Sequence, residues 1–568
     1  MDMSLACVDA IGRPSFVLKH HLLKRKLLSA TSISTWDTTQ LNSKSCVNSL
    51  DISASEWRVD GGTACGTQYF AVPQTLMPSL FPLRIDVFLP DQSDIPVALR
   101  NTLDSNPGVA LRDGESIANL GISRHLCKAL DRYCARNPTF LDQYQELPFR
   151  FRLVFDNVAT NVDDMRLTIV PAHSLERQSI SVKSLQKLWA NDILPDQWPE
   201  TVDITYLRYL HQFHDTISVV RLVQNSTTKS SSSIFKSTTR GFEHLYHELR
   251  FLLRNPPHPN IMPRPLYVVT KKSLFGGKQG LVGFILPYYP EGSIRDILPA
   301  RVRNGTLSLS QRLIWCKEVT SALIHITKQS STFFSELRPD NVLLSWTPLS
   351  SGNISGTMTR TVTDSSKYRE SVLLCDFEQR GNWHEWCSLE ILYCQYAENL
   401  RSSRTMALGD RWYGMIEKYS SRFREVAAKK SASDLFDENF VQAKNRAWFS
   451  LSHESQEKAQ VYSLGLFIYC VFEGLSSVRS SIANSYPIDP DLEFPEMRRT
   501  PPAIQELIKK STIDALEWQE ASGKNYCTEM HSAGSPRLYW AKRVIRTRDK
   551  LYPEDYSDNY LWEHGRHK

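Results

Sequence analysis

Two short segments constrain this chain more tightly than anything else in it. The first, Phe334-Ser335-Glu336-Leu337-Arg338-Pro339-Asp340-Asn341, runs straight into the apolar Val342-Leu343-Leu344. The second, about thirty residues later, is the apolar run Val372-Leu373-Leu374-Cys375, which ends on Asp376-Phe377-Glu378. Each sets acidic or amide side chains against a stretch that water disfavours, so a fold that accepts both must bring polar groups to the edge of a core. There is chain enough for such a core. At 568 residues, with 41% apolar and 23% charged side chains, the composition is that of a globular protein of two to four domains.

Composition also excludes several function classes. A formal charge of +6 is small for this length, and no run of Lys and Arg interleaves with aromatics, so nucleic acid is not an expected partner. Eleven scattered cysteines without a C-x-x-C pair fit a reducing, intracellular compartment, cytoplasmic or nuclear, rather than a zinc or disulfide framework. The longest apolar run, Val461 to Phe472, is far short of the roughly 20 residues that span a bilayer, so no membrane segment is expected. Lys19 to Lys26 is basic but is not followed by the apolar stretch of a secretory signal, and reads as a solvated tail.

The pattern divides the chain. Residues 1–55 are rich in Ser, Thr and Asn and offer too little apolar surface to offset the entropy of ordering, as expected for a loose tail. Residues 56–200 read as a small α/β domain of unassigned role, with a strand at Leu83–Leu89, a helix over Ser116–Ala135, and a hairpin of Phe149–Phe155 with Arg166–Val170. After the Pro195–Pro199 punctuation, strands are expected at Ile204–Leu207, Thr216–Val223 and Ser233–Lys236, then a helix over Gly241–Leu253. Beyond Pro287 the pattern is mainly helical, clearest over Gln311–Thr327 and Glu457–Glu473. The expected class is α+β.

In order and spacing these pieces resemble the eukaryotic protein-kinase superfamily, in its divergent form of the kind found in fungi. Phe334 to Leu344 is similar to its catalytic loop, Asp376-Phe377-Glu378 to its D-F-G, Tyr288 to Ile294 to its hinge, and Val461-Tyr462-Ser463-Leu464-Gly465 to a helix of its large lobe. His247-Glu248-Leu249 and His258-Pro259-Asn260-Ile261 fall in the expected order between them, and nothing before about residue 200 takes part. The resemblance implies a two-lobed fold, with a small, mainly β lobe over 201–290, a large, mainly helical lobe over 291–554, and a tail at 555–568. It implies ATP and Mg²⁺ as ligands and a protein as substrate or partner.

Roles follow by position from the resemblance. Asp376 and Asn341 would hold Mg²⁺, Lys236 paired with Glu248 would contact the α- and β-phosphates, and Arg338 would face the γ-phosphate. The Pro287 carbonyl and the Tyr289 N–H would take the adenine edge. Arg221 is the rival to Lys236, but it would leave an awkwardly long Ser/Thr/Lys stretch before Glu248. The plainer alternatives are that Asp376 caps a turn after a buried strand, Asn341 stabilises a loop, and either cation lies on the surface.

Departures from the family bear on activity. Glu336 stands where the catalytic-loop Asp accepts the substrate proton, and the extra methylene moves the carboxylate by about 1 Å, a displacement able to cost about 100-fold in rate. No Gly occurs between Val202 and Phe235, so close approach of backbone N–H groups to phosphate is lost. Glu378 replaces a glycine, which should remove a position able to adopt φ > 0, and it is expected to pair with Arg380. Phe334 is expected to pack on Phe377 and Leu252, and Gln460 to replace a buried Asp that braces the loop. Trp386 to Glu390 resembles the end of an activation segment, with no Ser, Thr or Tyr between it and Asp376. Insertions are expected at about 347–370, Ser/Thr-rich, and 391–455, helical and charged. The implied function is slow transfer of the ATP γ-phosphoryl group to a protein Ser or Thr. The alternatives are a non-catalytic scaffold or allosteric partner and a small-molecule kinase.

Overall fold

The computed structural model describes residues 55–62, 68–74, 85–89, 97–104, 120–142, 151–155, 157–170, 177–214, 216–223, 232–238, 242–272, 277–330, 332–348, 368–378, 453–476 and 497–513. Several sequence expectations lie outside them: the tails at 1–54 and 555–568, most of both insertions, Arg380, and Trp386 to Glu390. The described residues form two compact units: those up to 254 with 264–288, and 255–263 with those from 289 on.

The first unit holds two sheets. Strands β1 (Trp57–Gly62), β2 (Gln68–Pro73), β3 (Ile85–Phe88), β4 (Arg152–Phe155) and β5 (Leu167–Val170) lie in that order, with β3 and β4 parallel and the other neighbours antiparallel. A short helix α1 (Val97–Thr102) precedes α2 (Gly121–Arg136). Along α2, Ile122, Leu126 and Leu130 recur every four residues and are buried, which turns one stripe of the helix into the core. Trp57 of β1 is buried, and its indole N–H donates to Cys134 Sγ at 3.4 Å. On the same helix His125 is fully buried and donates Nε2–H to the Ala159 carbonyl at 2.8 Å; burial pulls its pKa down to about 4.

Helix α3 (Val182–Leu188), capped by Ser181, leads to a second sheet. Its strands are β6 (Glu200–Asp203), β7 (Leu207–His214), β8 (Ile217–Leu222), β9 (Ser232–Ser237), β10 (Tyr267–Lys272) and β11 (Gln279–Pro287), in the order β6-β10-β11-β9-β8-β7. Only β6 and β10 pair in parallel. The strand expected at Ile204–Leu207 is instead a 3₁₀ turn over Ile204–Tyr206, with β7 starting at Leu207. Asp203 causes this, because its carboxylate accepts the Thr205 N–H at 3.0 Å and the Thr205 hydroxyl at 2.8 Å, closing a turn. Helix α4 (Phe242–Arg254) has Phe242, Leu245, Leu249 and Leu252 buried at helical spacing.

The second unit is mainly helical. It contains α5 (Ile294–Arg303), α6 (Leu309–Ser330), the antiparallel ribbon of β12 (Val342–Pro348) and β13 (Tyr368–Leu374), α7 (His453–Glu473) and α8 (Pro502–Ile513). From Leu466 to Glu473 every residue of α7 is buried, so it is a core helix rather than an amphipathic one. Gly465 allows α8 to cross close by: a Cβ there would lie 2.8 Å from the Ser511 side chain. The architecture is mixed α and β, with a six-stranded mixed sheet, and fits an α+β class.

Candidate functional site

The residues that carry chemistry fall into two groups, one in each unit. In the first, β9 lies between β11 and β8, placing Lys236 opposite Phe284 on one side and Ile217 on the other. Its ammonium reaches α4, where Nζ meets Glu248 Oε2 at 2.5 Å. The two side chains are 4% and 1% exposed. Burying either charge alone would cost several kcal/mol, so the pair holds together only as a pair. Arg221, on β8, is exposed and takes no part. Gly283 of β11 lets the strands approach here, since a Cβ would lie 2.3 Å from the Lys236 carbonyl. Pro287 closes β11 opposite Ser233, and the next ring, Tyr288, tilts against Phe213 at 6.0 Å.

In the second unit Tyr289 opens a turn. Its carbonyl accepts the Gly292 N–H at 3.2 Å, and Gly292 takes φ +77°, which a side chain would resist. Burial pushes the Tyr289 phenol up to about 12. The Gly292 carbonyl accepts from Leu344, and Ser293 bridges Leu343, so the turn is pinned to β12.

The loop between α6 and β12 is tied at several points. The Phe334 N–H donates to Gln460 Oε1 at 2.6 Å, and the Phe334 ring tilts on Phe377 with centroids 5.2 Å apart. Asn341 Nδ2 donates to the Glu336 carbonyl at 2.9 Å, while the Asn341 carbonyl accepts from Cys375 at 2.9 Å. One residue thereby couples Glu336 to the strand end that carries Asp376. Asn341 is 4% exposed, and because its NH₂ is used internally, its amide oxygen is the atom suited to a cation. Glu336 itself is 2% exposed, so its carboxylate is turned into the protein. Arg338 lies 4.0 Å from Asp340, which pairs with Arg295 at 2.5 Å.

Asp376 is half-buried and has φ +66°. Among the described residues only one other non-glycine, Asp104, has positive φ. Glu378 does not take positive φ; the left-handed residue of this turn is Asp376, and aspartate tolerates that region better than most side chains. Glu378 is buried at 4% exposure.

Two residues that hold β13 escaped the sequence reading of roles. Asn260 Nδ2 donates to the Val372 carbonyl at 2.7 Å, and Glu318 of α6 accepts from Val372 N–H at 2.9 Å and Ser371 Oγ at 3.0 Å, with Arg369 at 2.6 Å. Burial raises the Glu318 pKa despite these donors. Its signal was faint: a lone carboxylate on the helix stripe of Trp315, Val319, Ala322 and Ile326. No family model and no curated protein sequence matches the chain.

Proposed function

We propose that the chain is an ATP-binding protein of the protein-kinase superfamily that slowly transfers the γ-phosphoryl group to a protein Ser or Thr hydroxyl. The observation that carries this reading is the buried Lys236–Glu248 pair, which fixes an ammonium on a central strand by a carboxylate on the following helix. That partnership is the one the family uses to present a lysine to the α- and β-phosphates. Asp376, at the end of an apolar strand, and the Asn341 amide oxygen are chemically suited to Mg²⁺, a hard cation that takes oxygen ligands. The Pro287 carbonyl and Tyr289 N–H would receive adenine, Arg338 would face the γ-phosphate, and Glu336 would accept the hydroxyl proton. The attacking oxygen gains the bond to phosphorus as the bond to the β–γ bridging oxygen breaks, leaving ADP. The test is Mg²⁺-ATP binding by the parent and by Lys236→Met, followed by single-turnover transfer.

A second reading, a non-catalytic nucleotide-binding scaffold, has its own observation. Glu336 at 2% exposure is poorly placed to receive a proton from an incoming hydroxyl. Single-turnover transfer from labelled ATP separates the two, because chemistry on bound nucleotide registers there even when steady turnover is too slow to see.

A further inference from the structure

Glu248 is held on one side of α4 by Lys236, and the opposite side of the helix is gripped by chain that precedes the six-stranded sheet. Tyr246, two residues earlier, projects about 200° around the helix from Glu248. Its hydroxyl accepts the Ile180 N–H at 2.8 Å and donates to the Leu281 carbonyl of β11 at 2.9 Å. The Leu281 N–H in turn donates to the Ile180 carbonyl at 2.8 Å, so strand, helix and the Ser179–Ile180 segment close one ring of hydrogen bonds. The approach is tight by construction. A Cβ on Gly280 would lie 2.1 Å from Ser179 Oγ, and Lys278 Nζ reaches the Ser179 carbonyl at 2.5 Å. One turn further along the same helix face, Arg250 pairs with Asp192. The Tyr246 ring also stacks on Phe242 at 5.3 Å, an apolar anchor that does not depend on the hydroxyl.

We propose that Tyr246 is a positioning residue: its hydroxyl, bonded to Ile180 and to Leu281 of β11, holds α4 in the rotation that sets Glu248 on Lys236, with Asp192 on Arg250 as a second anchor. A helix gripped on one face only is free to roll by the width of its packing slack, and a buried ion pair tolerates little of that before its charges separate. The Ser179–Ile180 segment and β11 thereby bear together on the Lys236–Glu248 pair through α4. The consequence for nucleotide rests on the reading of Lys236 as the phosphate contact; the positioning itself does not.

Tyr246→Phe removes the hydroxyl and keeps the ring. Two readouts need no nucleotide: amide hydrogen exchange along α4, and acylation of Lys236 by acetic anhydride mapped by mass spectrometry. Tyr246→Phe loses both hydrogen bonds of the hydroxyl, so exchange in α4 should rise roughly 10- to 100-fold while α2 keeps the parent rate, and Lys236 should acylate several-fold faster. Asp192→Asn, which loosens the second anchor, should act in the same direction more weakly, and serves where Tyr246→Phe folds poorly. Unchanged Lys236 acylation in both variants, or exchange rising equally in α2 and α4, would overturn the proposal. Where the parent binds Mg²⁺-ATP, Tyr246→Phe should weaken it in the wild-type background and add nothing in Lys236→Met, the non-additivity expected of one unit. Full additivity there contradicts the positioning role. A parent that binds no nucleotide sinks the kinase reading alone, since exchange and acylation still decide this one.

Discussion

Lys236 Nζ and Glu248 Oε2 lie 2.5 Å apart with almost no solvent on either side chain. Removing one partner strands the other charge in the interior. Lys236→Met should therefore cost about 3–5 kcal/mol in denaturant unfolding, and the double replacement Lys236→Met with Glu248→Leu should recover most of it. Arg221→Met, on an exposed position, should stay within about 0.5 kcal/mol. Equal losses for Lys236 and Arg221 would show that the pair is not buried in solution.

Gln460 Oε1 is the acceptor for the buried Phe334 N–H at 2.6 Å. Gln460→Leu keeps much of the volume but leaves that donor without its acceptor. A loss of about 1–3 kcal/mol in unfolding is expected. A neutral result would mean that the loop finds another acceptor or does not sit against α7.

The His125 ring should make stability pH-dependent. Folded, it stays neutral down to about pH 4; unfolded, it takes up a proton near its ordinary 6.5. Between those values the unfolded state binds more protons, so this contribution is complete above about pH 6.5 and is lost as pH falls towards 4. The full effect is about 3 kcal/mol. Urea unfolding at pH 7 and pH 5 should show a smaller difference for His125→Gln than for the parent, and equal differences would count against the buried neutral ring.

How far this molecule was legible in its sequence depended on periodicity. Helix α4 was readable because Phe242, Leu245, Leu249 and Leu252 repeat at helical spacing, and β9 because Ile234-Phe235-Lys236 stands clear of a polar loop; the pairing of Lys236 with Glu248 came from the family resemblance and not from either pattern. Strand β7 was not, since Arg208, His211 and Gln212 interrupt alternation and two register shifts in its pairing with β8 displace the pattern. Nor was β6, four residues of Glu-Thr-Val-Asp whose strand character comes from parallel pairing with β10. The grip of Ile180 on Tyr246 depends on a backbone N–H and a carbonyl, groups every residue carries, and so left no trace in residue type. The burial of Glu336 was also invisible, because the loop is turned by the Asn341 amide on a backbone carbonyl.

Glu336→Asp tests the chemistry. If the side chain is one methylene too long, the substitution should raise single-turnover transfer by roughly 10- to 100-fold with nucleotide affinity unchanged. A fall in rate would mean that the loop has adapted to glutamate. No transfer by either protein while both bind Mg²⁺-ATP would leave the scaffold reading standing.

The most direct measurement is a thermal-shift titration with ATP, with and without Mg²⁺, on the parent, Lys236→Met and Asp376→Asn. Binding to the folded state alone raises the midpoint by mass action. The account predicts a Mg²⁺-dependent rise in the parent, loss of most of it in Lys236→Met, and loss of only its Mg²⁺-dependent part in Asp376→Asn. A parent that does not respond to millimolar Mg²⁺-ATP, or a Lys236→Met protein that responds as the parent does, would contradict it.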